Sequence, residues 1–539
     1  MRIIKPITIL LFSFLIVFNS FSQQSSVFNY LPPDAKMIIK VNPASLGQKI
    51  KWEEVLTYKI FEAPVKELPQ AGKEFLENPS LTGIDLKQGF FIVSFPNVNK
   101  EKSDPVFYGT PADTAKIAAM VKKMFPGKKP IKTNNGKLIV DKHTAFAWNN
   151  EVVILTGDDT KKDSLTKPPT ASAELLSMNQ LTDRCKMLLS KHNPSLGNND
   201  FSSLHDEQGD VLMWINTSLP SGMQTKKKLP GVFEMLNKNF SQKGNFVSCV
   251  MNFENGKIAF QMKQYVSESL DSFYEKYPLA NINTELLKKL PADHPILLFT
   301  FSFSPEMLTS LFAKTGADKL IDSASDHKIN LNEMFSAIKG DVTLAIMKAD
   351  EVGEEDSVTQ AMGGVELFIA GNINDKEKFK TINDLFQNKN TDPSKTNPRT
   401  TKPVMLSNDS IFVFCFSKTA GQKFLGSPGN NEEIKKLFDP YKNNSSVAIV
   451  DLRTILGFAM QTVAKGKSEE EIKHTAEVLG MFDKMIVFGS MHDNHTILTN
   501  MELTLTDKNE NSLKQFFNLI NLFYSMKPKT STTYNERHE

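Results

Sequence analysis

The chain is poor in the residues and motifs from which recognisable chemistry is built. It has three cysteines in 539 residues, Cys185, Cys249 and Cys415, far apart and without a CxxC pair. A disulfide framework and a thiolate zinc site are therefore excluded, and one bridge at most can form. Cys249 and Cys415 fall in the apolar runs FVSCVMNF and IFVFCF, where a thiol packs as a small hydrophobe. No HExxH, nucleophile elbow GxSxG, phosphate loop or dinucleotide fingerprint occurs. Aromatic residues with polar handles are scarce, 9 Tyr and 3 Trp against 39 Phe, so composition lends no support to a sugar-binding platform.

Charge of one sign is missing too. Arg2 and Lys5 are the charged residues of the first 22, and beyond them 61 basic residues balance 61 acidic ones. Such a chain has no overall field for gathering nucleic acid or an anionic membrane. The Lys226-Lys227-Lys228 run sits among Ser, Gly and Pro and reads as a solvated loop tip. Long apolar runs are absent after the first, Ile7 to Phe18, which follows the basic start and precedes Ser20-Phe21-Ser22. This is the pattern of a signal peptide cleaved before Gln23, and it is shorter than the about 20 apolar residues of a spanning helix. No cysteine lies near residue 22 to accept a lipid. Residues 1–22 therefore predict export, with a soluble mature protein in the periplasm or at the outer cell surface.

What the sequence does contain is a repeated pattern. Leu31-Pro32-Pro33-Asp34 precedes the strand-like Met37 to Asn42, and Leu290-Pro291-Ala292-Asp293 precedes Ile296 to Phe301. Asn42-Pro43 and Ser304-Pro305 then each place a capping side chain before a first-turn proline. Gly109 and Asp113 correspond to Gly371 and Asp375, each Asp opening an amphipathic helix. Two hairpins close the series, one turning at Asn255-Gly256 and one at Asp493-Asn494. The order predicts an α+β fold of two tandem related units, with mainly antiparallel or mixed sheets and helices packed on one face. The expected segments are signal peptide 1–22, first unit 23–285, second unit 286–530 and a flexible polar tail 531–539.

Three segments carry a resemblance: LPPDAKMIIKVNPASL after the signal, NPSLTGIDLKQGFFIV at 78–93, and AIKGDVTLAIM at 337–347. In these the chain resembles an exported-protein family of Bacteroidota-type bacteria catalogued as a domain of unknown function. Many relatives in that family carry a lipid-accepting cysteine, where this chain has Ser22-Gln23. The resemblance implies no activity.

Candidate chemistry is thin. Among nine histidines the tightest group is His492-Asp493-Asn494-His495, which flanks a tight turn; the corresponding hairpin around Glu254 to Lys257 has none. Both side chains are expected to face solvent, with no third metal ligand to name. Asp34 and Asp293 read as turn carboxylates, and Asp113 and Asp375 as helix caps. The acidic stretch Asp350 to Asp356 lacks the alternating ligand spacing of a calcium loop. Gly421, Gly426 and Gly429 read as a loop, Phe90, Phe91, Phe412, Phe414 and Phe416 as core, and Trp52 and Trp148 as candidates for exposure. No catalytic, metal or cofactor residue is assigned. The expected function is that of a non-catalytic binding or scaffolding protein of the cell envelope. The competing expectation is a hydrolase with its site in the cleft between the units.

Overall fold

Apolar runs separated by Gly, Pro and Asn turns dictate short strands, and in the computed structural model of the protein these join one sheet of 18 strands. The structure describes residues 26–95, 105–141, 144–157, 178–192, 201, 204, 207–217, 245–291, 294–315, 331–348, 364–389, 403–463, 468–493 and 495–526. Residues 1–22, Lys226 to Lys228, Asp293, Asp350 to Asp356 and the tail 531–539 lie outside them.

From one edge the sheet runs β4 (Ile131–Thr133), β5 (Gly136–Asp141), β6 (Thr144–Trp148), β7 (Val153–Gly157) and β3 (Val106–Gly109). It continues through β2 (Phe90–Ser94), β1 (Met37–Val41), β8 (Val211–Asn216), β9 (Phe246–Glu254) and β10 (Lys257–Tyr265). Beyond β10 come β18 (Thr496–Leu505), β17 (Phe482–Asp493), β16 (Ser446–Asp451) and β11 (Leu297–Ser302). Last are β12 (Ile338–Lys348), β13 (Val365–Ile373), β15 (Ile411–Cys415) and β14 (Val404–Ser407). Every pairing is antiparallel.

The expectation of two tandem units, each with its own sheet and interior, is corrected by this architecture. The sheet crosses the expected boundary at 285/286 without a break, because β10 pairs with β18 over nine residues, Lys257 to Tyr265 against Thr504 to Thr496. The reason is hydrogen-bond bookkeeping at an edge. The hairpins β9–β10 and β17–β18 each end in a strand with a row of unpaired backbone groups, and the two rows satisfy each other. The interior is shared as well. Leu503, Leu513 and Phe517 pack in one cluster with Phe253, Ile258 and Phe61, and the Tyr58 and Phe517 rings stack 5.0 Å apart. Helix and strand content is mixed, as expected, but helices cover both faces rather than one.

The layers follow from side-chain alternation. On β6, Phe146 and Trp148 enter the core under the helices Trp52–Val55 to Gln70–Glu77 and Thr114–Met124. Ala145 and Ala147 enter a second core on the opposite face, under Met178–Leu188. A third core lies on that same opposite face farther along, where Leu298, Ala345, Phe368 and Cys415 meet Phe424 and Phe438.

Local turn and cap chemistry matches the sequence. Asn42 Oδ1 accepts from Ser45 N, Asp113 Oδ1 from Ala115 N and Lys116 N, and Asp375 Oδ1 from Glu377 N and Lys378 N. The Lys378 N–H holds the Asp375 carboxyl below its ordinary pKa. Gly256 turns with φ of 65°, and a Cβ there would meet Lys508 Cα at 2.5 Å, so the first hairpin closes against residues 507–511.

Candidate functional site

The seam between β10 and β18 places an unusual strip of polar side chains on the face that carries the second and third cores. Register sets Ala259 between Asn252 and Glu502, Gln261 between Val250 and Asn500, and Lys263 between Ser248 and Leu498. The two cores on that face stop short of the strip, which floors a trough of about 240 Å³. Its lining includes Glu207, Gln208, Asn252, Gln261, Asn500 and Glu502, with Phe488 on the β17 side.

These groups are held in place by one another. Gln261 Nε2 donates to Asn500 Oδ1 at 3.3 Å, and Lys257 Nζ to Glu502 Oε1 at 3.0 Å. Lys263 Nζ and Ser248 Oγ donate to the two oxygens of Glu207, each at 2.8 Å. The Glu207 and Glu502 carboxylates raise the pKa of Lys263 and Lys257 respectively. Behind Phe488 stands Tyr441, ring centroids 4.8 Å apart; burial raises its phenol pKa and the Glu502 charge adds to the rise.

The opposite face of the same strands is apolar. One row crosses it through Met501, Val487, Ala448, Phe299, Leu344 and Ile369, each directly opposite the next. A second row runs through Leu503, Met485, Val450, Leu297, Ile346 and Leu367. All twelve are half-buried, whereas the residues between them (Ile486, Ile449, Leu298, Ala345, Phe368) are buried in the third core.

The histidine pair behaves differently from expectation. Asp271, on helix Glu268–Lys276 and 6% exposed, places Oδ1 2.7 Å from His492 Nε2 and Oδ2 2.6 Å from His495 Nδ1. His495 is exposed at the turn in a left-handed conformation, φ of 60°. His492 is not: its side chain is 10% exposed and its ring stacks on Tyr274 at 5.4 Å. Both carboxylate oxygens are engaged in clamping the helix to the hairpin. Among the described residues no three His, Cys, Asp or Glu side chains are placed to hold a metal ion.

Other singled-out residues find plain structural places. Asp34 is exposed in a turn closed by Ala35 N donating to Pro32 O. Trp52 and Trp148, candidates for exposure, are 4% and 2% exposed; apolar surroundings seal both, and Trp52 Nε1 donates to Leu76 O. Phe90 and Phe91 are core, but Phe412, Phe414 and Phe416 are half-buried because alternation gives the core positions of β15 to Val413 and Cys415. Gly421 and Gly426 lie in helix Lys418–Gly426 rather than a loop; Gly421 lets that helix approach Cys415 Sγ, which a Cβ would meet at 2.7 Å. The three cysteines are unbridged, and burial pushes the Cys185 thiol up to about 12.

Sequence reasoning missed one buried node. Asp210, fully buried, accepts from Ser45 Oγ at 2.5 Å, from Phe253 N at 2.6 Å and from Lys49 Nζ. It ties helix Pro43–Gly47 to β8 and β9. A cleft of about 690 Å³ opens beside that helix, its lining mixed in sign, with Lys51, Lys87 and Lys116 against Glu53, Asp85 and Asp113.

No helix among the described residues is long and apolar enough to cross a membrane. No curated protein and no solved structure matches the chain. A family profile described as a domain of unknown function (DUF4836) matches residues 28–352, a stretch that itself runs past the expected boundary at 285/286. With well over half of its length matched, the chain belongs to this DUF4836 family.

Proposed function

We propose that the protein is a non-catalytic binding or scaffolding protein of the bacterial cell envelope, of the kind found in Bacteroidota-type bacteria, exported by residues 1–22. The observation that carries this reading is the half-open apolar face of β11 to β13 and β16 to β18. Its twelve apolar side chains, in two adjoining transverse rows, stay half-buried although the helices Pro305–Thr315, Leu331–Ser336, Leu452–Val463 and Glu469–Gly480 pack along these strands and Ala337, Ile373 and Phe379 form a fourth core at one end. Contiguous apolar surface of this kind suits an apolar partner surface. The test is site-directed photo-crosslinking in the native envelope, with the crosslinker at Phe299 or Leu344 and a control at the exposed Lys129, which belongs to neither surface. Adducts at the two apolar positions and not at Lys129 support the reading; a crosslinker at Phe299 that captures nothing sinks it.

A hydrolase is the second reading, favoured by one arrangement: the Asp271 carboxylate orients His492 across the two halves of the chain. A screen with ester, amide and glycoside chromogens tests it. Turnover abolished by His492→Ala would replace the first reading.

A further inference from the structure

We propose that the polar trough over β9, β10 and β18 binds an uncharged polyhydroxylated ligand of the carbohydrate class. The row that holds Asn252, Ala259 and Glu502 at the seam continues as Ile486, Ile449 and Leu298. The row with Gln261 and Asn500 continues as Phe488 and Val447. Both switch from polar to apolar within one strand spacing, on a face otherwise committed to core. Covering amides and carboxylates with protein costs stability wherever a polar atom is left unpaired, so a polar strip that no core covers suits a surface that meets hydrogen-bonding partners.

The donor and acceptor set narrows the class. The primary amides of Gln208, Asn252, Gln261 and Asn500 both donate and accept, as sugar hydroxyls do. Glu207 and Glu502 accept only, and each is matched by a lysine, Lys263 and Lys257. The trough thus offers neither the excess positive charge an anion needs nor a free carboxylate pair for a cation. Phe488, backed by Tyr441, gives one apolar wall on which the C–H face of a sugar ring can lie. The scarcity of Tyr and Trp across the whole chain has no bearing on this local set. A peptide fits less well, because β10 is paired on both edges, to β9 and to β18, leaving no backbone ladder to extend. The volume, below the roughly 300–1,000 Å³ of drug-sized pockets, suits one ring of a longer chain lying along the opening.

The experiment uses the full mature chain. Saturation-transfer NMR and calorimetry are run with cellotriose, maltotriose, xylotriose and triacetylchitotriose, alongside an immobilised glycan panel and a peptide library. We expect at least one saccharide to bind, with affinity falling at least about tenfold in Gln261→Ala/Asn500→Ala and in Phe488→Ala. Lys122→Ala, exposed on helix Thr114–Met124 and outside both surfaces, should leave affinity unchanged. Gln261→Glu, which keeps the side-chain size but removes its donors, guards against misfolding and should weaken binding with an unchanged melting curve. The proposal is overturned if no saccharide on the panel binds, if binding survives both alanine variants, or if peptides alone occupy the trough. Because the crosslinking test reports on the other face, either idea can fail without the other.

Discussion

The two flanks of the sheet are built from equally apolar strands yet are finished differently. From β6 through β7 to β3 both faces are sealed: every residue of β3 and β6 is buried, with the helical core on one side and the Ala145, Ala147 and Cys185 core on the other. Between β18 and β13 the face of the third core is sealed, whereas the helices on the other face bury Ala337, Ile373 and Phe379 but leave the two apolar rows half-buried, and burial alternates along β11, β13 and β16. An apolar strand therefore reports that burial is possible on both sides, and the helices available decide whether it happens.

The sharpest way to break this comparison is to truncate matching residues on the two flanks. Phe91→Ala, at a fully buried position, is expected to cost about 3–5 kcal/mol. Phe299→Ala, half-buried, is expected to cost about 1–2 kcal/mol. Urea unfolding measures both, and equal losses would mean that the second face is as sealed as the first. Next, Asp210→Ala should remove about 3 kcal/mol, since it strands Lys49 and the Phe253 N–H beneath the first flank; the same measurement applies. Smaller, at about 1–3 kcal/mol, is Gly256→Val, which forces a β-branched residue into φ of 65° against Lys508. Its signature would be faster hydrogen exchange along β10 and β18, with the first flank unchanged.

The smallest effect tests the rim of the second flank. Burial alone would raise the Asp483 pKa, but Lys508 at 2.7 Å, then Lys484 and Arg453, more than offset it and hold the carboxyl below its usual range. A depressed carboxyl stabilises the fold above its unfolded pKa, and that contribution is lost as pH falls through the folded value. Asp483→Asn should therefore cost less than about 1 kcal/mol at neutral pH, and the variant and parent should converge in acid. A gap that widens on acidification would show that the ion pair is not the source.

Local features were legible in the sequence because their partners are a few residues away. Asn42, Asp113 and Asp375 cap helices as their spacing implies, and Asn255-Gly256 turns the first hairpin. What depended on distant partners was not. His492 looked like a turn flank, yet Asp271, 221 residues earlier in the chain, buries it. Gln261 and Asn500 meet across 239 residues, so neither the seam nor its polar floor could be read from either hairpin alone. The parity of Phe412, Phe414 and Phe416 was hidden for another reason: an unbroken apolar run does not say which alternate set faces the core. Trp52 was misplaced because the Leu76 carbonyl that satisfies its indole belongs to a later helix.

The seam has a temporal consequence. β10 is complete once residue 265 has been made, but the strand that covers its outer edge begins at Thr496. Throughout that interval a chain emerging in order exposes nine residues of template to any other extended polypeptide. Such exposure invites self-association and calls for protection by a holding factor or for delayed folding. Transport in an unfolded state, which the proposed export would involve, would let both partners arrive together.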